Sequence, residues 1–147
     1  MPRRKNRIAI FASEPVTGRI GGFGIRQLEI ARVLNLKFEV RLLTPYEITD
    51  HQETFPIKNI SYENQNTLET HVRWADSIYG HHPSIARFAK KYKTPIAVDL
   101  LVHEYFEGLE KEPLDKMNFK EKNVHFANSV LNLSRQLAMG DFFVCPS

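Results

Sequence analysis

Gly21, Gly22 and Gly24 stand in the loop Gly18-Arg19-Ile20-Gly21-Gly22-Phe23-Gly24, directly before a stretch of helical periodicity. Glycine permits positive φ and close backbone approach. A helix N-terminus offers unpaired amides and partial positive charge, so this loop is chemistry suited to a phosphate. The same glycines would also serve to make a turn and to let a helix pack on a sheet. Arg19, in the same loop, carries the guanidinium fork that matches phosphate oxygens. His81 and His82 follow the short run Asp76 to Gly80, where imidazoles are fit to bond a ligand's hydroxyls or phosphate. Asp99 closes a further apolar run, where a carboxylate can accept from a ligand hydroxyl or from loop amides.

These residues need elements to position them, and the apolar pattern supplies candidates. Arg7 to Ala12 reads as a first strand and Phe23 to Leu36 as an amphipathic helix with Ile25, Leu28, Ala31, Val33 and Leu34 on one face and Arg26, Glu29 and Arg32 on another. Phe38 to Thr44 is a second strand stopped by Pro45, and Ile57 to Tyr62 a weaker third. Leu68 to Ala75 is a short helix and Asp76 to Gly80 the fourth strand; Ser84 to Tyr92, led by Pro83, is another helix. Pro95 to Leu101 is the clearest buried strand, Asp115 to Ala138 a long helix, and Asp141 to Cys145 the last strand.

Strands alternating with helices predict an α/β fold: a Rossmann-like, doubly wound parallel sheet of about six strands in the order 3-2-1-4-5-6, covered on both faces. Ligands of such sheets bind beyond the carboxyl ends of the strands where the order reverses. That rule selects the loops 13–24, 80–83 and 99–104, which hold the residues named above. Their place at that crevice weighs the glycines toward phosphate binding.

At 147 residues, 42% hydrophobic and 25% charged, the chain suits one core, read as a basic arm over residues 1–6 and a domain over 7–147. No apolar run approaches the roughly 20 residues of a membrane span. The basic start lacks a signal-peptide core, and the lone Cys145 makes no internal disulfide, so a cytoplasmic protein is expected. Trp74, Tyr105 and Phe106 read as packing residues. No zinc-site spacing is present and no metal is expected. The +3 net charge gathers partly in Arg3, Arg4, Lys5 and Arg7 without a basic stripe elsewhere, which argues against nucleic acid and leaves weak peripheral contact with anionic lipid heads.

The two familiar nucleotide loops fit poorly. Gln27 stands at the third glycine position of a GxGxxG reading, and the second strand ends Leu42-Leu43-Thr44-Pro45 with no carboxylate for a ribose. No Gly-Lys-Ser/Thr follows the loop, which excludes a P-loop.

The run from Ile8 to Pro15, continued by Gly18 to Leu34, resembles the N-terminal start of GT-B glycosyltransferases of the family-four type. Pro95 to Leu100, Leu109-Glu110 and Arg135 to Phe143 are similar to later stretches of the same group, so the resemblance spans nearly the whole chain. It implies a pair of Rossmann-like domains facing across a cleft, of which this chain supplies the acceptor side of a retaining enzyme. The glycine loop, Gly21, Gly22 and Gly24, would then lie near the donor diphosphate, and Arg19, His81, His82 and Asp99 near the acceptor. Where the group reads Asp-Leu-Tyr-Asp-Pro, this chain has Asp99-Leu100-Leu101-Val102-His103, which leaves His103 as a substitute acceptor contact. Glu104 and Glu112 match the Glu-x7-Glu spacing of the group's second domain but lie in the wrong region.

The resemblance implies a nucleotide sugar as co-substrate, no cofactor, and a C-terminal donor-binding domain in the same or a separate chain, without which transfer is not expected. No residue is singled out as catalytic. Two other functions fit the same fold: a non-catalytic glycan- or protein-binding module, and more weakly a nucleotide-dependent oxidoreductase.

Overall fold

The computed structural model describes residues 6–80, 82–100 and 116–144. Six parallel strands form one sheet in the order β3-β2-β1-β4-β5-β6, the predicted order. They are β1 (Arg7–Phe11), β2 (Glu39–Thr44), β3 (Ile57–Asn59), β4 (Ser77–Tyr79), β5 (Ile96–Asp99) and β6 (Phe142–Val144). The connecting helices are α1 (Gly22–Asn35), α2 (Gln65–Trp74), α3 (Pro83–Tyr92) and α4 (Phe119–Met139). Strand order reverses between β1 and β4, which pair directly with Ile8 opposite Ser77 and Ile10 opposite Tyr79.

The central strand explains the two cores. In Arg7–Phe11 every second side chain turns to the same face, so Ile8 and Ile10 enter one core and Ala9 and Phe11 the other. Both faces of β1 are covered, and the strand is accordingly almost continuously apolar. On one side α1 packs Leu28 and Ala31 against Val40 and Leu42. On the other, α2 and α3 bring Leu68, Val72, Ile85 and Phe88 onto Leu43, Ile78 and Val98.

Helices flank the sheet on both faces, as the alternation predicts. Right-handed crossovers put α2, α3 and α4 on one face, leaving α1 as the helix of the other among the described residues. Among the described residues a trough of about 420 Å³ lies beside α1 over β4, β5 and β6, lined by Ile30, Leu34, Tyr79, Ala97, Phe142 and Val144. α4 touches the core through Leu133, while Phe126, Val130 and Leu137 are exposed. Among the described residues no helix is long and apolar enough to cross a membrane.

Helix ends follow local chemistry. α4 begins at a capping box, in which Asn118 accepts from the Glu121 amide and Glu121 from the Asn118 amide. That fixes its start later than the expected Asp115. In α1, Ile25 and Val33 are exposed at 50% and 64%, contrary to the expected apolar face; Phe23, Gly24, Gln27, Leu28 and Ala31 are buried instead. β3 stops at Asn59 rather than Tyr62, because Tyr62 leaves the ladder to turn its ring into the core.

Candidate functional site

Four loops meet over the carboxyl ends of β1 to β4 and enclose a cleft of about 630 Å³. Its described walls are Ser13, Tyr46, Ser61, Tyr62, His82 and Ser84, with Glu63 among the remaining lining residues. Gly80 makes this junction possible. Its φ is +151°, and a Cβ there would stand 2.9 Å from the Phe11 carbonyl oxygen, so only glycine lets β4 leave the sheet this close to β1.

Tyr62 is the buried floor. Its hydroxyl reaches the carbonyl oxygens of Ala12 (2.6 Å) and Leu43 (2.9 Å), joining the ends of β1 and β2, and burial pushes its ionisation far upward. The His82 ring lies tilted against it, 4.9 Å between centroids. His82 also caps α3: Nδ1 accepts from the Ser84 amide at 3.3 Å, which leaves the ring proton of the neutral form on Nε2. Burial lowers the pKa of His82 from 6.5, favouring that neutral ring. Tyr46 donates its hydroxyl to the Ser13 carbonyl (3.1 Å). The Ser13 hydroxyl itself is buried and has no hydrogen-bond partner among the described residues.

The glycine loop lies on the other side of the sheet edge. Gly21 is the N-cap of α1 without a side-chain cap, and Gly22 is its first residue. Positive φ in this loop belongs to Gly18 (+72°), not to Gly21, Gly22 or Gly24. The three differ in what surrounds them. A Cβ at Gly24 would come within 2.1 Å of the Pro15 carbonyl oxygen, a Cβ at Gly21 within 2.7 Å of Glu14 Oε2, and a Cβ at Gly22 would meet nothing within 4 Å. Glu14 accepts from the Gly24 amide at 3.2 Å, so a carboxylate of the chain itself stands in the field of the α1 N-terminus. Gln27 is fully buried and stitches the loop to the strand, accepting from the Ser13 amide (3.3 Å) and donating to the Phe11 carbonyl (3.5 Å).

Asp99 is 2% exposed at the end of β5. It accepts from Arg26 Nε (2.7 Å) and Nη2 (3.3 Å) and from the Tyr79 hydroxyl. The hydrogen bond to Asp99 raises the Arg26 pKa, and burial followed by that carboxylate raises that of Tyr79. Among the described residues Asp99 is bonded by Arg26 and Tyr79, and so anchors α1 to the ends of β4 and β5.

The sequence-predicted site residues therefore separate. His82 lines the cleft, whereas Gly21, Gly22, Gly24 and Asp99 belong to the α1 side, with Arg19 on an exposed part of the loop. His81 and His103 lie outside the described residues, as do Cys145, Tyr105 and Phe106. Trp74 packs as expected, under the Arg41 guanidinium at 3.8 Å. Sequence reasoning missed Ser13, Tyr46, Tyr62, Glu14 and Arg26. Ser13 and Glu14 had a usable signal, since they directly follow the first strand and open the selected loop. Among the described residues no group of three or more His, Cys, Asp or Glu is placed to hold a metal ion.

No protein-family model matches this chain, and no curated protein matches it. Among solved structures it is similar to a short-chain dehydrogenase/reductase from Veillonella parvula, with a TM-score of 0.55 and 15% identity over 96% of this chain and 67% of that one. The Veillonella parvula short-chain dehydrogenase/reductase in complex with NADP gives 0.54 and 15% over 96% and 68%. The glycosyltransferase SnogD from Streptomyces nogalater gives 0.48 and 14% over 92% of this chain and 40% of that one. At such identities the two dehydrogenase structures show the fold alone, a Rossmann-like parallel sheet, and the third is too distant to add to it.

Proposed function

We propose that this domain is the acceptor-side half of a sugar-transferring enzyme that uses a nucleotide sugar. The observation that carries the reading is the cleft over β1 to β4: aromatic rings of Tyr46, Tyr62 and His82 beside small hydroxyl side chains, one of them buried and unpaired. Rings beside hydroxyl side chains suit a small polar ligand such as a sugar, whose apolar face packs on a ring while its rim meets the hydroxyls, and do not suit a fatty chain. The sequence resemblance to family-four GT-B enzymes supports the same division of labour. Donor grip would come from a second Rossmann-like domain, in the same or a separate chain, with the open space above Gly22 facing the donor diphosphate.

A nicotinamide-dependent oxidoreductase fits the site less well. The third glycine position of a dinucleotide loop is filled by the packed side chain of Gln27, and β2 runs into Thr44-Pro45 with no carboxylate at its tip to hold a ribose. Calorimetry with NADP, a panel of nucleotide sugars and simple methyl glycosides tests the proposal. Weak glycoside binding with no micromolar binding of either nucleotide class is expected. Micromolar NADP binding would overturn the assignment, and micromolar binding of a nucleotide sugar would overturn the acceptor-side role.

A further inference from the structure

Resting on the acceptor reading, we infer that the ligand of the β1 to β4 cleft is an uncharged, hydroxyl-rich molecule rather than a phosphorylated or otherwise anionic one, with Ser13 and His82 reading its hydroxyls. Three observations converge. First, the described lining holds no Lys or Arg; its one charged side chain is the carboxylate of Glu63, which repels an anion. The nearby guanidinium of Arg87 is engaged with Gln65 Oε1 at 2.6 Å and stacks over Phe88. Second, the α3 N-terminus bordering the cleft is already capped by His82 Nδ1 at the Ser84 amide, so that amide is not open to a phosphate. Third, apart from the Glu63 carboxylate, which only accepts, the described lining offers neutral groups for hydrogen bonding. The Ser13 hydroxyl is buried without a partner, and His82 keeps one donor, Nε2–H.

A buried unpaired hydroxyl is costly, and turning about χ1 into the cleft that its residue lines lets the Ser13 hydroxyl meet a ligand hydroxyl, which removes that cost. Phosphate brings two negative charges to a wall whose described residues include no Lys or Arg to meet them. It would have to be desolvated against Glu63 and two tyrosines, whose rings offer it nothing. A neutral sugar ring lays its apolar face on the exposed ring of Tyr46 and presents hydroxyls at its rim.

The test is a saturation-transfer NMR titration of the whole chain with methyl glucoside, its 6-phosphate and NADP. It is run on the parent, on Ser13→Ala, and on His82→Asn, which keeps a helix cap while removing Nε2–H. The neutral glycoside should bind at least about fivefold more tightly than its phosphate, and each substitution should weaken it by about fivefold, the worth of one hydrogen bond. Tighter binding of the phosphate would overturn this inference and leave the acceptor reading standing. NADP binding that is saturable and displaced by neither glycoside would instead bring down the acceptor reading. Glycoside binding unchanged by both substitutions, or no saturable binding of either glycoside, overturns the assignment of Ser13 and His82.

Discussion

The N-termini of α1 and α3 border the same sheet edge, and they are held by different means. α1 has no side-chain cap; a carboxylate from the preceding loop, a buried amide and an ion pair to β5 tie its first two turns to the rest of the molecule. α3 is finished locally, by a neutral imidazole two residues from the amide it caps and by Pro83 at its first position. The α1 end is thus charged and over-determined, while the α3 end is neutral and leaves hydroxyl-reading groups beside it. On the proposed reading the donor diphosphate approaches α1 at the open Gly22, clear of the Gly24 amide that Glu14 occupies, and a neutral ligand lies with α3.

If that contrast is right, breaking the α1 tether should cost most. Arg26→Leu leaves Asp99, whose side chain is fully buried, with Tyr79 as its remaining described partner. Removing one member of a buried pair costs roughly 3 to 5 kcal/mol, and the 31% exposure of the Arg26 side chain argues for the lower end, about 3 kcal/mol in urea unfolding. A loss under about 1 kcal/mol would mean that the pair does not hold α1. Next comes Gly24→Ala, whose methyl would overlap the Pro15 carbonyl and force the loop off the helix, costing about 2 kcal/mol by the same measurement.

These contacts show where the sequence stops being legible. Apolar runs of strand length separated by helical periodicity are local features, so six strands could be read directly, and their order followed from the doubly wound arrangement that the alternation predicts. Arg26 could not. It shares a polar face with Glu29 and Arg32 by periodicity, and its partner lies 73 residues away, so only the folded register of β5 against α1 reveals the pair. Gln27 was legible as a departure from a dinucleotide loop, but its bonds to Ser13 and Phe11 depend on the path of that loop. Tyr62 read as the end of a strand because its apolar character is the same in a strand and in a core; the pull of two carbonyls on its hydroxyl is a tertiary effect. The cleft was legible as a place, the carboxyl ends near the switch point, and not as a set of side chains.

Acidification sharpens the comparison from the α3 side. Burial holds the pKa of His82 below its ordinary 6.5 in the folded chain, and that of His71 is lowered to about 4 by burial and then by Arg41. An unfolded chain therefore takes up these protons first. Stability is full above about pH 6.5 and falls as pH drops toward the folded values. Protonated His82 also loses the Nδ1 acceptor that caps α3. In a His71→Gln background, which removes the larger titration, thermal unfolding between pH 7.5 and 5 should still show a slope, and His82→Asn should flatten it. His82→Ala at neutral pH should cost about 1 kcal/mol, the usual worth of a cap. A slope that survives His82→Asn unchanged would show that this end of α3 is not pH-sensitive.

Gly22→Val should have the smallest effect on the fold, and for that reason it separates structure from function best. Gly22 is exposed, begins α1 without positive φ, and has no atom within 4 Å of where a Cβ would stand. A β-branched residue at the first helical position loses little there, because the preceding turn that would crowd its side chain does not exist. Stability should change by no more than about 0.5 kcal/mol, as for a surface substitution away from special features. The free space is nevertheless where an anion would approach the amides of the first turn, and an isopropyl group fills it. In a two-domain enzyme completed by its donor-binding partner, transfer should fall at least tenfold while the unfolding curve stays in place, with Gly22→Ala intermediate. Parental transfer by Gly22→Val would mean that the donor diphosphate does not approach here, and that the contrast between a phosphate side and a neutral side must be drawn elsewhere. A large loss of stability would instead show that Gly22, like Gly24, is a packing glycine, and the open space above it would lose its claim on a ligand.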